Sequence, residues 1–170
     1  NGLRFNDNAG TVIQNLSIEE NARISSISER AIFSSNAIRQ ISNRGILTSS
    51  DGVDTFAIRN SAITEDVFFE NYGTITTVGV GNNTAIWLDT DPSSETTLIN
   101  HSSGYIDASA GTGNGFVAFA NKGIVENYGT IMGGDDGIVG LSNDDVFINH
   151  GFIAVANPLR TDNLDNAVDT

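Results

Sequence analysis

Phe69-Glu70-Asn71-Tyr72-Gly73-Thr74-Ile75 is the stretch on which the reading of this chain turns, because variants of it keep returning. Glu126-Asn127-Tyr128-Gly129-Thr130-Ile131 is nearly a copy, and Ile148-Asn149-His150-Gly151-Phe152-Ile153 is a looser one. Ile41-Ser42-Asn43-Arg44-Gly45-Ile46-Leu47 comes earlier. Ile99-Asn100-His101 opens another copy, in which two extra residues displace the glycine to Gly104 and the isoleucine to Ile106. Ile13-Gln14-Asn15-Leu16-Ser17-Ile18 reads as a degenerate first copy. The asparagines Asn15, Asn43, Asn71, Asn100, Asn127 and Asn149 are then 28, 28, 29, 27 and 22 residues apart. A sequence that repeats itself at such a period is the mark of a solenoid.

With the asparagine as position zero, position −2 is Ile13, Ile41, Phe69, Leu98, Val125 and Phe147, apolar in every copy. Position +4 is Leu47, Ile75, Ile131 and Ile153 wherever no insertion intervenes. Alternate residues of a strand share a face, so −2, 0, +2 and +4 are expected to point inward. Glycine at +2 (Ser17 in the first copy) fits a bend or a close approach of backbones. A second apolar leg follows each asparagine: Ala31-Ile32-Phe33, Ala57-Ile58, Ala85-Ile86-Trp87-Leu88, Gly115-Phe116-Val117, Gly137-Ile138-Val139 and Ala167-Val168. Turn-forming runs such as Val80-Gly81-Asn82-Asn83 and Gly133-Gly134-Asp135-Asp136 precede these legs. A third short apolar segment then leads into the next asparagine.

Three short strands per turn and branched core positions predict an all-β fold, a single right-handed parallel β-helix over residues 1–170. It would have about six coils of roughly 28 residues, with residues 1–11 as a cap or incomplete coil. A sandwich or barrel of hairpins would not return equivalent residues once per coil. In such a stack the six asparagines are expected to form an amide ladder along the axis, each side chain donating to one neighbour and accepting from the other. Their role is structural.

Composition narrows the function classes. Hydrophobic residues make up 39% of the chain, too many for a disordered segment. No apolar run approaches the length needed to cross a bilayer as a helix, so membrane insertion is not expected. The chain opens on a polar stretch without a signal peptide and reads as a mature protein or an excised segment. The absence of cysteine removes disulfides and thiolate metal sites. A net charge of −13 disfavours nucleic acid, since binding phosphates requires clustered Lys and Arg. The charge is unevenly spread: residues 1–60 carry six basic and six acidic side chains, residues 61–170 two basic and fifteen acidic. A solenoid would turn this into an axial gradient with an acidic C-terminal end.

The repeated apolar-x-Asn-x-Gly-x-Ile pattern, best at Phe69 to Ile75, Val125 to Ile131 and Phe147 to Ile153, resembles the passenger regions of bacterial autotransporters and haemagglutinin-like exoproteins. The turn Gly133-Gly134-Asp135-Asp136-Gly137-Ile138 and the segment Asn143 to Asn149 add to the likeness, which covers about residues 12–170. The resemblance implies a scaffold displayed at a bacterial surface or secreted, serving adhesion, aggregation or surface structure.

Three kinds of chemistry are weighed against that scaffold. Paired carboxylates at Asp89 and Asp91, Asp135 and Asp136, and Asp144 and Asp145 could serve a carbohydrate-active enzyme. Few cations stand near them, and the expectation is that the protein is not an enzyme. Asp135, Asp136, Asp144 and Asp145 are candidates for a weak calcium site, although Gly133 to Gly137 matches a calcium-binding nonapeptide only once and in part. No other cofactor is expected. Position +1 carries Arg44, Tyr72, His101, Tyr128 and His150, an outward stripe that could hold a glycan or a partner. A coil stack also has two ends whose strands can pair further, which predicts a homo-oligomer or a longer parent chain. The primary expectation is an extracellular structural or adhesive scaffold that can associate end to end into a fibre. The alternative is a module that binds or degrades polysaccharide along its outer face.

Overall fold

A computed structural model describes residues 2–5, 11–50, 53–119, 122–140 and 144–156. Among them there is no helix; the elements are eighteen short strands. In chain order they begin with β1 (Leu3–Phe5), β2 (Val12–Ile18), β3 (Arg23–Ser26), β4 (Ile32–Ser34), β5 (Ala37–Asn43) and β6 (Ile46–Ser49). Then come β7 (Phe56–Arg59), β8 (Val67–Asn71), β9 (Thr74–Thr77), β10 (Ile86–Asp89), β11 (Glu95–Asn100) and β12 (Tyr105–Asp107). The last are β13 (Phe116–Phe119), β14 (Lys122–Asn127), β15 (Thr130–Gly133), β16 (Ile138–Gly140), β17 (Val146–Asn149) and β18 (Phe152–Val155).

Every third strand joins the same sheet, so three six-stranded sheets run up the molecule. The first is β1-β4-β7-β10-β13-β16, the second β2-β5-β8-β11-β14-β17 and the third β3-β6-β9-β12-β15-β18. All the pairings are parallel, as in Leu98 opposite Phe69 on one side and Val125 on the other. This is a parallel β-solenoid of about 27 residues per turn. The second to fifth rungs are enclosed by neighbours above and below. In the first and last rungs most strand residues are half-buried or exposed. The molecule therefore has about four closed turns, against the six coils expected from counting asparagines.

The core is a set of columns. In the third sheet Ile24, Leu47, Ile75, Ile106, Ile131 and Ile153 stack in register. The two-residue insertion before Ile106 is absorbed in the turn at residues 101–104 and leaves the column intact. In the first sheet the column is Leu3, Ile32, Phe56, Ile86, Phe116 and Ile138. The second sheet supplies Leu16, Ile41, Phe69, Leu98, Val125 and Phe147. Like residues recur because each rung meets the rung below at the same height, and fully buried branched side chains interlock along the axis. Phe56 and Phe69 close the interior edge to face, with ring centroids 4.8 Å apart.

Two registers differ from the sequence expectation. Leu16, not Ile13, occupies the first −2 position, and Ile18 faces Asn43 while Asn15 lies opposite Gln40. Ser17 accordingly sits beside Ser42, on the outward row. Ile18 is buried where the other rungs place asparagine, so the column begins on a hydrophobe packed under the next turn. In the second leg, Phe56 and not Ile58 is the equivalent of Ile32 and Ile86, so the small–large step read at Ala57-Ile58 falls two residues late and Ala57 stands in the row between Phe33 and Trp87. The expected leg at Ala167-Val168 and most of the 1–11 segment lie outside the described residues.

Candidate functional site

The corner between the second and third sheets holds the repeated motif. Asn43, Asn71, Asn100 and Asn127 are completely buried there. Each amide nitrogen donates to the next carbonyl: Asn43 Nδ2 to Asn71 Oδ1 at 2.8 Å, Asn71 to Asn100 at 2.8 Å, Asn100 to Asn127 at 2.8 Å and Asn127 to Asn149 at 2.9 Å. The carbonyl side of several also caps its own turn, as where the Gly45, Gly129 and Gly151 amides donate to Asn43, Asn127 and Asn149 Oδ1. Burying an amide costs free energy unless all its polar atoms are matched, and here they are matched by copies of the same residue. Asn15 is exposed and outside this column, a correction to the six-membered ladder; its register is three residues from the ladder position.

Glycine at +2 follows from the same stacking. A Cβ at Gly73 would run into the Gly45 carbonyl, and one at Gly129 or Gly151 into the carbonyl of the glycine one rung earlier. The column permits no side chain.

Immediately outside the asparagines runs the +1 row. The amides of Arg44, Tyr72, His101, Tyr128 and His150 donate to the carbonyls of Ile18, Asn43, Asn71, Asn100 and Asn127, so the row is continuous at the backbone. The Arg44 guanidinium lies over the Tyr72 ring at 4.7 Å. Tyr72 and His101 stack 3.8 Å apart within 7° of parallel, and Tyr128 and His150 at 5.0 Å and 17°. Tyr72 is thus covered by the rung before and the rung after. Its face is spent on its neighbours, and the stripe presents ring edges and hydroxyls outward.

Carboxylates line the stripe. The Tyr72 hydroxyl donates to Glu70 Oε1 at 2.9 Å, and His101 Nε2 lies 3.0 Å from the same oxygen. The Tyr128 hydroxyl donates to Glu126 at 3.2 Å; off the stripe, in β12 of the third sheet, the Tyr105 hydroxyl donates to Asp107 at 2.9 Å. All three phenols are held above their ordinary pKa. For Tyr72 the hydrogen bond to Glu70 is the main cause, for Tyr105 burial, and for Tyr128 the Glu126 charge. Each phenol would have to ionise beside an existing anion.

The aspartates serve the turns. Asp145 Oδ1 accepts from the Gly123 amide at 2.7 Å, and its other oxygen fills the space where a Gly140 side chain would stand. Asp91 accepts from the Ser93 hydroxyl at 2.6 Å and amide at 2.8 Å, which together hold its carboxyl below the usual range, the hydroxyl contributing most. Among the described residues no three His, Asp or Glu side chains come together in a way that could hold a metal ion. Asp135, Asp136, Asp144 and Asp145, the calcium candidates, are not gathered into such a group.

A second constellation went unread in the sequence. On the outer face of the first sheet Arg4, Phe33, Ala57 and Trp87 form one registered row. Guanidinium groups lie over its rings: Arg4 over Phe33 at 5.1 Å, Arg30 over Phe33 at 5.2 Å and Arg59 over Trp87 at 4.6 Å. Arg30 also grips the buried Asp54 through Nε and Nη2, both at 3.0 Å, and Arg59 approaches it at 3.7 Å. Taking Ala57-Ile58 as the second leg shifted that rung out of phase and hid the row.

No family model, no curated protein and no solved structure matches this chain.

Proposed function

We propose that this chain is a coil-stack segment of an extracellular bacterial scaffold, structural or adhesive, of the kind its repeats resemble in autotransporter passengers and haemagglutinin-like exoproteins. The observation that carries the reading is the register. Side chains repeat by column over six rungs, and the terminal strands of each sheet pair on one side only among the described residues. Such a stack extends by adding rungs. The next rung would come from a longer parent chain or from a second copy, because a strand edge with a free hydrogen-bonding row is a template for another strand. The asparagine column and the glycine column below it are devices for stacking at constant rise, and they do no chemistry.

Two experiments test this. Electron microscopy of the purified chain over a concentration series, beside light scattering, should show unbranched rods that lengthen with concentration. Compact 18.0 kDa particles at every concentration would remove self-association and leave only the parent-chain form. Antibody labelling of intact source cells should stain the surface or the medium; a signal confined to lysed cells would sink the extracellular reading.

A further inference from the structure

We propose that the outer face of the first sheet binds a carboxylated monosaccharide unit, seated between Arg4, Arg30 and Phe33. An open pocket of about 230 Å³ lies there, walled by Leu3, Phe33 and Val53 and edged by Arg4, Ser28 and Glu29. Its size is below the roughly 300–1,000 Å³ of pockets for larger ligands, which suits a single ring.

The lining matches a sugar acid group by group. Arg4 is only loosely held, its guanidinium 4.0 Å from Glu29 with both side chains more than half exposed, so its planar donors are open to a carboxylate. Ser28 and Glu29 offer partners for ring hydroxyls. Val53 and the rim of Phe33 offer the C–H face of a pyranose an apolar contact, while Arg4 and Arg30 lie over the Phe33 ring with their donors beside it. Arg30 is held in advance: Asp54, buried to 5% exposure, fixes it by two contacts and is itself met by the Thr84 amide. A wall already fixed in place loses little entropy when a ligand arrives. The pocket also lies in the part of the chain whose charges sum to zero, and Glu29 is the one acidic residue among those lining it. None of this depends on where the protein resides or whether it forms fibres.

Titration of the ¹⁵N-labelled chain with sodium glucuronate, followed by amide and Arg side-chain NMR, tests the proposal. Saturable millimolar shifts at Leu3, Arg4, Arg30 and Phe33 are expected, with glucose, sodium acetate and inorganic phosphate each weaker by about tenfold or more. Arg4→Gln should weaken glucuronate by about tenfold. Glu29→Gln should tighten it by about threefold or more, because it removes a like charge that competes for Arg4; a damaged fold cannot produce that gain. The proposal is overturned if glucose equals glucuronate or if no saturable shift occurs at these residues. It is equally overturned if acetate or phosphate equals glucuronate, which marks a bare anion site, or if Glu29→Gln weakens binding or leaves it unchanged.

Discussion

Asn100 shows most plainly what a single residue does in this fold. Its amide donates to Asn127 and accepts from Asn71, and it also reaches the carbonyls of Gly104 and Thr130. Replacement by alanine strands buried polar atoms on both neighbours. Asn100→Ala should therefore cost about 3 kcal/mol in denaturant unfolding. Asn15→Ala, at an exposed position opposite Gln40, should change stability by less than about 0.5 kcal/mol. Equal costs for the two would contradict the register. Thr96 gives the opposite case. It is fully buried between Val67 and Gly123, and its hydroxyl has no hydrogen-bond partner among the described residues. Thr96→Val keeps the shape and removes that unmatched oxygen, so it should stabilise by about 1 kcal/mol. A loss of stability would show that the hydroxyl is satisfied in solution.

Pairing of tyrosine with a carboxylate two residues away is a property of the strand, since alternate residues share its outer face. Tyr72 with Glu70, Tyr128 with Glu126 and Tyr105 with Asp107 all follow it. Absorbance titration should find all three phenols ionising above pH 10, the ordinary value. The folded-state values are raised, so the stability linked to these groups is complete below the unfolded value and falls as pH rises through the folded ones. Glu70→Gln should bring Tyr72 back toward the ordinary value. A tyrosine titrating below 10 in the native protein would contradict the contacts. These pairs went unread in the sequence, although their two-residue spacing could have found them; the strand set, the parallel class and the stripe were legible because they repeat with the period. What the sequence hid were the places where the period slips. Ile18 replaces an asparagine, and a local alignment naturally seized on Asn15 instead. Phe56 sits one leg position ahead of the Ala57-Ile58 pair that looks like its neighbours' small–large step, and this concealed the Arg–aromatic row. Stacking of ring faces along the axis also depends on rotamers, which spacing does not encode.

At the scale of the whole molecule, stability is a sum of rung and rung-to-rung terms. Backbone amides of the second to fifth rungs should exchange with deuterium last, and those of β1, β17 and β18 early. Uniform protection across all rungs would contradict that division. The uneven charge also sets a direction: an acidic C-terminal part next to a neutral N-terminal part favours head-to-tail contact over contact between two acidic ends. The central claim is that the rungs are locked in register by a buried amide column that starts at Asn43. Side-chain amide exchange of the asparagines, read by NMR, tests it most directly. The Nδ2 protons of Asn43, Asn71, Asn100 and Asn127 should exchange only on unfolding, while those of Asn15 exchange as fast as in a free peptide. If the four exchange as fast as Asn15, or if Asn15 is protected with them, the column is not built as described.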